Sequence, residues 1–333
     1  PAPFVERPKL MRAYVEANAC SRILQCENAA DLNDIIAKGD ARTFIRISEA
    51  MQERAVAQIA ERIVANGARV VFIAGPSSSG KTTFANRLSV QLRVSGKRPL
   101  AISLDNYYLD RDSIPLQEDG TLDLEAISTL DVPLFRQHLA ELLDGREVLL
   151  PTFSFKLGKR NPGGTPVRLR EGQVMVIEGI HGLNPRLTPS IPDAQKFRIY
   201  ISCFTSVAMD NLSRIATTDN RLLRRLTRDY RQRGADALST LSRWASVRRG
   251  EEKHIFPYQE NADIMLNSSL FYEISVLRPF AEKILREVPD TVPEYDEARR
   301  MLKFLKNFTP IPPDEIPPTS IIREFIGGSS FKY

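Results

Sequence analysis

The sequence predicts an α/β protein built on a doubly wound parallel sheet, and three observations carry that expectation. The run Val70-Val71-Phe72-Ile73-Ala74 is short, apolar and rich in β-branched residues, which suits a strand buried on both faces. Comparable runs recur at 100–104, 174–177, 197–201 and 262–266, separated by stretches of helical periodicity. The first run passes directly into a Gly/Ser loop and then a helix, the order in which open parallel sheets place their ligands.

With 333 residues, 42% of them hydrophobic, the chain can bury one large core or two modest ones. No apolar run approaches the roughly 18 residues of a membrane span, so a soluble, cytoplasmic protein with no membrane partner is expected. Cys20, Cys26 and Cys203 have no metal-ligand spacing and read as reduced structural thiols. The chain opens at Pro1 rather than at methionine, as a fragment or a processed form would.

Residues 1–66 read as an N-terminal helical extension. Ser48 is a candidate cap for a helix in which Met51, Ala55, Ile59 and Ile63 recur on one face. After the first strand, Gly75-Pro76-Ser77-Ser78-Ser79-Gly80-Lys81-Thr82-Thr83 fits Gly-x-x-x-x-Gly-Lys-[Ser/Thr] at every fixed position, a phosphate-binding P-loop. Gly75 and Gly80 let the backbone curl a row of N–H groups around phosphate oxygens. The helix that follows, about Lys81–Val94, turns its positive end to the same anion. Lys81 reaches the outer phosphates as a mobile charge, and the Thr82 hydroxyl can ligate Mg²⁺. This makes the expected fold P-loop NTPase-type.

The second strand ends in Asp105-Asn106-Tyr107-Tyr108, at the ligand end of such a sheet. A helix is expected from about Val132 to Leu143 and a short strand at Val148–Leu150. The long, Gly- and Pro-rich loop from Pro151 to Pro166 follows. Val174–Ile177 closes on Glu178, the form of a Walker-B carboxylate that holds a metal. Helices are then expected from about Val207 to Arg249, and between Arg214 and Arg249 ten arginines stand against three acidic residues. Arg221, Arg224, Arg225 and Arg228 fall on one helix face, read as an exposed, phosphate-facing stripe rather than a merely solvated basic face. Helices near Tyr272–Arg286 and Glu294–Lys306 close the chain, with Pro310–Pro318 an extended tail.

The order of these motifs resembles the uridine kinase and phosphoribulokinase family of P-loop kinases, over about Val70–Ala281. The residues that carry the resemblance are the P-loop, Ser-Leu-Asp-Asn-Tyr-Tyr, Val-Ile-Glu-Gly, and Thr-Asp-Asn-Arg-Leu-Leu-Arg-Arg-Leu-Thr-Arg-Asp. In outline the chain looks like the kinase part of longer uridine kinase-like proteins that carry threonyl-tRNA-synthetase-like domains upstream. The resemblance implies an extension at 1–66, a kinase domain at 67–290 with a helical, arginine-rich lid at about 207–250, and a C-terminal helix and tail at 291–333.

By the same resemblance Asp105 matches the family's catalytic carboxylate and Glu178 its Mg²⁺-site acid. Arg221, Arg225 and Arg228 fall in its lid, and Asp123 lies near its ribose-binding position. Substrate contacts are expected from Asp105, Tyr107, Asp123, Phe153, Phe155 and Arg160. The activity implied is transfer of the γ-phosphoryl group of ATP or GTP, with Mg²⁺, to a nucleoside 5′-hydroxyl, uridine first. Uridine-cytidine kinases carry Tyr-Asp-Phe and then Ser-His-Ser-Arg where this chain has Phe153-Ser154-Phe155-Lys156-Leu157-Gly158-Lys159-Arg160. Phe153 keeps a stacking face without the hydroxyl, and Gly158 stands in place of a histidine.

The changed segment admits another sugar-like or nucleoside-like alcohol as acceptor. A nucleotide-sensing, RNA-associated module is the alternative from another class. Against it, the arginine-rich region holds only Tyr230 and Trp244 for base stacking, so nucleic acid is not an expected partner. His138, His181 and His254 share no ligand spacing and read as structural, and a homo-oligomer is compatible with all of this.

Overall fold

The computed structural model describes residues 6–116, 122–155 and 157–332. Lys156, part of the expected acceptor segment, lies outside them. A strand buried on both faces must feed two layers, and β1 (Val70–Ala74) does so: every residue in it is buried. Val71 and Ile73 enter one core, Val70 and Phe72 the other, as the period of two requires.

After the P-loop and α4 (Lys81–Val94), β2 (Arg98–Ser103) forms the sheet's far edge, and β7 (Gln173–Glu178) inserts between β2 and β1. On the other side lie β8 (Lys196–Ser202) and β9 (Ile264–Asn267), giving five parallel strands in the order β2-β7-β1-β8-β9. The register sets Ile73, Ser103 and Glu178 level with one another. The P-loop, the turn bearing Asp105, and Glu178 therefore emerge side by side from the strands' C-terminal ends.

Between β2 and β7, α5 (Val132–Leu143) packs under the second core. The expected strand at 148–150 is β3 (Glu147–Leu150), but it pairs antiparallel with β6 (Thr165–Arg168) outside the main sheet. Inside that pair the expected long loop folds into a small hairpin, β4 (Phe153–Ser154) against β5 (Lys159–Arg160).

The first core also gathers residues from both ends of the chain. From the N-terminal end come α1 (Pro8–Ile23), α2 (Ala29–Ala37) and α3 (Ala41–Asn66), with Leu32, Ile45, Ile59 and Ile63 buried in it. Ser48 does not cap α3 but lies inside it, buried, because the apolar period runs upstream through Phe44 and Ile45 to a start after Asp40. Arg87 of α4 fastens α3 to the P-loop helix by donating to Glu53.

From the C-terminal side, α6 (Thr217–Arg228), α7 (Ala237–His254), α8 (Glu273–Leu285) and α9 (Tyr295–Leu305) cover the sheet, and α10 (Arg323–Ile326) docks on α6. The proline-rich stretch is not a free tail: Ile311 and Ile316 are buried in the same core.

Candidate active site

The P-loop is held open by close contacts only glycine permits. A Cβ on Gly75 would lie 2.0 Å from the Ile201 carbonyl oxygen of β8, and Gly80 caps α4 at φ +85°. The Lys81 Nζ donates to the carbonyls of Gly75 (3.0 Å) and Pro76 (3.2 Å). Thr82, next along, is half-buried at the mouth.

Asp105 sits in a 3₁₀ turn (Leu104–Tyr107) directly after β2. Burial raises its pKa against the pull of Lys81, Arg233 and Arg228. The Glu178 carboxyl is pushed up to about 7 by burial and by Asp105, although the Ser103 hydroxyl donates to it at 2.7 Å. Burial lowers the Lys81 pKa while Glu178, Asp105 and Glu324 oppose the shift.

A third carboxylate joins this group that the sequence reading did not single out. Glu125 is held at about 7 by burial and the nearby Glu251 charge, against Arg225 and Lys81. The expected ribose contact, Asp123, points elsewhere: it accepts from His254 Nε2 at 2.7 Å and pairs with Lys253 at 3.7 Å. Gly250 leaves room for the Glu125 side chain, since a Cβ there would meet Glu125 Cβ at 2.5 Å. His254 is thus structural, through a partner in the loop that carries Glu125.

The arginine stripe is not an exposed face. Arg221, Arg224 and Arg228 are buried, at 1%, 0% and 8% exposure, because α6 is enclosed by α7, α8 and α10. Arg221 pairs with Glu251 and donates from Nε to the Ser77 carbonyl at 2.9 Å. Arg224 grips Glu273 at 2.6 Å and reaches the Ser78 carbonyl at 3.4 Å, and Arg225 donates to Ser77 Oγ at 2.9 Å. These three side chains brace the P-loop from below. Charge enters the cleft one turn further on. There Asp229 gathers Arg228 (2.9 Å), Arg225 (3.3 Å) and Arg233 (3.5 Å). The crowding by Arg228 lowers the Arg233 pKa to about 10.

On the side of Tyr108 the site is aromatic. Tyr108, Phe153 and Phe155 form a mutually contacting trio with ring centroids 5.4–6.1 Å apart, and the Arg233 guanidinium lies 5.1 Å over the Phe155 ring. Tyr107, expected here, is instead a core residue: it is 1% exposed, bonded to His138 Nδ1 at 3.1 Å and edge-on to Phe135. The 3₁₀ turn aims the first of the two adjacent tyrosines inward and the second at the cleft. Arg160 is likewise committed, donating to the carbonyls of Tyr107 (3.0 Å) and Tyr108 (3.1 Å) and to Asp131 (3.1 Å). Its role is to clamp the hairpin to the turn that carries Asp105.

Among the described residues no cluster of three or more His, Cys, Asp or Glu forms a metal site. Thr82 and Glu178 offer only hard oxygens, a set that suits Mg²⁺ once phosphate oxygens complete the coordination.

A strand-to-helix phosphate loop, a half-buried lysine, two carboxylates at neighbouring strand ends and an arginine-braced helix define a P-loop phosphotransferase. The model of the phosphoribulokinase/uridine kinase family matches residues 70–274, and the chain belongs to that family. It is similar to the uridine kinase of Halobacterium salinarum, 28% identical over 195 residues that span 58% of this chain and 77% of that one. It is also similar to the uridine kinase of Staphylococcus epidermidis, 27% identical over 202 residues, 60% of this chain and 88% of the relative. Among solved structures, a Silicibacter protein described as a fructose transport system kinase superposes with a TM-score of 0.47 at 21% identity, covering 63% of this chain and 98% of its own. Among the described residues no helix is long and apolar enough to cross a membrane.

Proposed function

We propose that this chain transfers the γ-phosphoryl group of ATP or GTP to the 5′-hydroxyl of a nucleoside, with uridine the leading acceptor. The observation that supports this most directly is Asp105 beside Lys81 and Glu178 at the mouth of the P-loop. A nucleotide sensor needs the loop but has no use for a proton acceptor there. The acceptor hydroxyl gives its proton to Asp105 as its oxygen forms a bond to the γ-phosphorus. The bond from that phosphorus to the β-bridging oxygen breaks, and the nucleoside diphosphate leaves. Lys81, Arg228 and Arg233 neutralise charge on the phosphoryl group in flight, while the braces on Ser77 and Ser78 keep the loop's donors aimed. Mg²⁺ held by Thr82, Glu178 and the phosphates would add charge neutralisation and alignment.

Another sugar-like or nucleoside-like alcohol is the second reading. Phe153 and Phe155 offer flat apolar faces without a hydrogen-bonding group, and Arg160 is engaged elsewhere. Such a wall accepts a ring but discriminates weakly among rings. Three cysteines without disulfides suit the reducing cytoplasm we propose as the setting, with pyrimidine salvage as the role.

The test is a panel of nucleosides and sugar alcohols with γ-labelled ATP and Mg²⁺, using Lys81→Ala as control. Label on uridine above the other acceptors is the expected result. Lys81-dependent nucleotide binding with no acceptor labelled would leave only a sensor.

A further inference from the structure

The chain's last turn reaches the P-loop. Beyond α9, the segment carrying Ile316, Ile321, Ile322 and Phe325 is buried in the same core as α6, and α10 ends against the start of α4. A Cβ on Gly80 would meet Ile321 Cδ1 at 2.6 Å, and the Arg224 guanidinium lies 5.0 Å over the Phe325 ring. Between these contacts stands Glu324, 7% exposed. Its Oε2 accepts from the Thr83 hydroxyl at 2.6 Å and from the Thr83 backbone N–H at 3.3 Å. Its charge also bears on both Lys81 and Glu178, which locates it within the phosphate-binding group rather than beside it.

The backbone N–H groups of Lys81, Thr82 and Thr83 lie in the first turn of α4, among the donors that receive phosphate oxygens in a P-loop. A carboxylate on one of them competes with a phosphate for the donor and repels it by charge. We infer that Glu324 is an affinity-setting residue of the nucleotide site: its carboxylate occupies Thr83 donors that a nucleotide phosphate would use, and nucleotide must displace it. The inference rests on the nucleotide reading of the P-loop. By linkage, whatever Glu324 subtracts from nucleotide affinity, bound nucleotide subtracts from the docking of residues 321–327. One further tie, from Gln232 Nε2 to the Glu324 carbonyl at 2.7 Å, remains when the side chain is displaced, so the segment loosens without being released.

The experiment measures ADP binding with Mg²⁺ by calorimetry for the wild type, Lys81→Ala, Glu324→Gln and Glu324→Ala, with thermal melts as a folding control. Glutamine keeps the shape and an acceptor for Thr83 while removing the charge. Glu324→Gln should bind ADP on the order of tenfold tighter, the scale of one charge-assisted hydrogen bond. In the wild-type protein, ADP should speed hydrogen exchange at the backbone amides of 325–327, a reading that needs no variant to fold. Unchanged or weaker ADP binding by a folded Glu324→Gln, or amides in 325–327 that ADP protects or leaves unchanged, would overturn the inference. Failure of the underlying reading looks different: the wild type would then bind no ADP that Lys81→Ala abolishes.

Discussion

Replacing Arg224 by methionine should destabilise the protein far more than any surface arginine could. Arg224 is fully buried and holds Glu273, itself 1% exposed, with Nη2–Oε2 at 2.6 Å and Nε–Oε1 at 3.1 Å. It also donates to the Ser268 carbonyl at 2.8 Å and the Ser268 hydroxyl at 3.1 Å. Methionine fills much of the same volume but leaves the Glu273 carboxylate buried with little beyond the Leu270 N–H at 2.8 Å. Breaking one side of such a pair costs about 3–5 kcal/mol. At about 2 °C per kcal/mol for a chain of this size, the melting midpoint should fall by roughly 6–10 °C. The double variant Arg224→Met/Glu273→Leu removes both charges and should recover most of that loss, because an apolar pair carries no desolvation penalty. Urea melts of the wild type, both single variants and the double variant form the cycle. A loss under about 1 kcal/mol for Arg224→Met, or no recovery in the double variant, would refute the brace and return the stripe to the surface.

Asp105→Asn should retain ADP binding while kcat falls on the order of 10²-fold or more, and full turnover by this variant would remove Asp105 as proton acceptor. Glu125→Gln should flatten the pH dependence of stability. A folded pKa of about 7 against an ordinary carboxylate value means the native state holds the extra proton, so wild-type stability falls as pH rises through that window. The variant should therefore gain about 2 kcal/mol over wild type at pH 8 and nothing near pH 4, the partial exposure of Glu125 limiting the gain. Parallel pH curves for the two proteins would count against that placement. Gly158→His should raise the acceptor KM rather than supply a base contact. Gly158 has φ +67°, which strains any side chain, and a Cβ there would meet Arg111 Cδ at 2.6 Å, so the Arg111 side chain must also give way; steady-state kinetics with the labelled acceptor decides.

What the sequence made legible were features written in neighbouring residues. The P-loop, the carboxylate after β2 and the carboxylate ending β7 are each local patterns of strand and terminus, and the sheet brings them together because parallel strands share one ligand end. The features missed depend on partners far along the chain. Glu251 and Glu273, which turn Arg221 and Arg224 inward, lie 30 and 49 residues away, and nothing near the stripe announces them. Tyr107 and Tyr108 are chemically alike, so only the phase of the 3₁₀ turn decides which reaches the cleft. Asp123 and Glu125 differ by two positions in an irregular loop, where no period assigns a face. Arg160 reads as a free cation until the hairpin sets its fork against two carbonyls and Asp131.

The shared first core has a consequence for anyone who would borrow this catalyst. The segment matched by the family, 70–274, stops short of both flanks that wrap it. Cutting there would strip away Ile45, Ile59 and Ile63 on one side and Phe308, Ile322 and Phe325 on the other, all of them buried against the layer that carries the P-loop. At about 2–5 kcal/mol for each large side chain lost from a core, the excised piece would forfeit more than a domain's whole margin of stability. The flanks act as the outer staves of a cask. A chimera that grafts this phosphate loop onto another scaffold has to transplant residues 41–66 and 308–326 with it, or supply substitutes of the same shape.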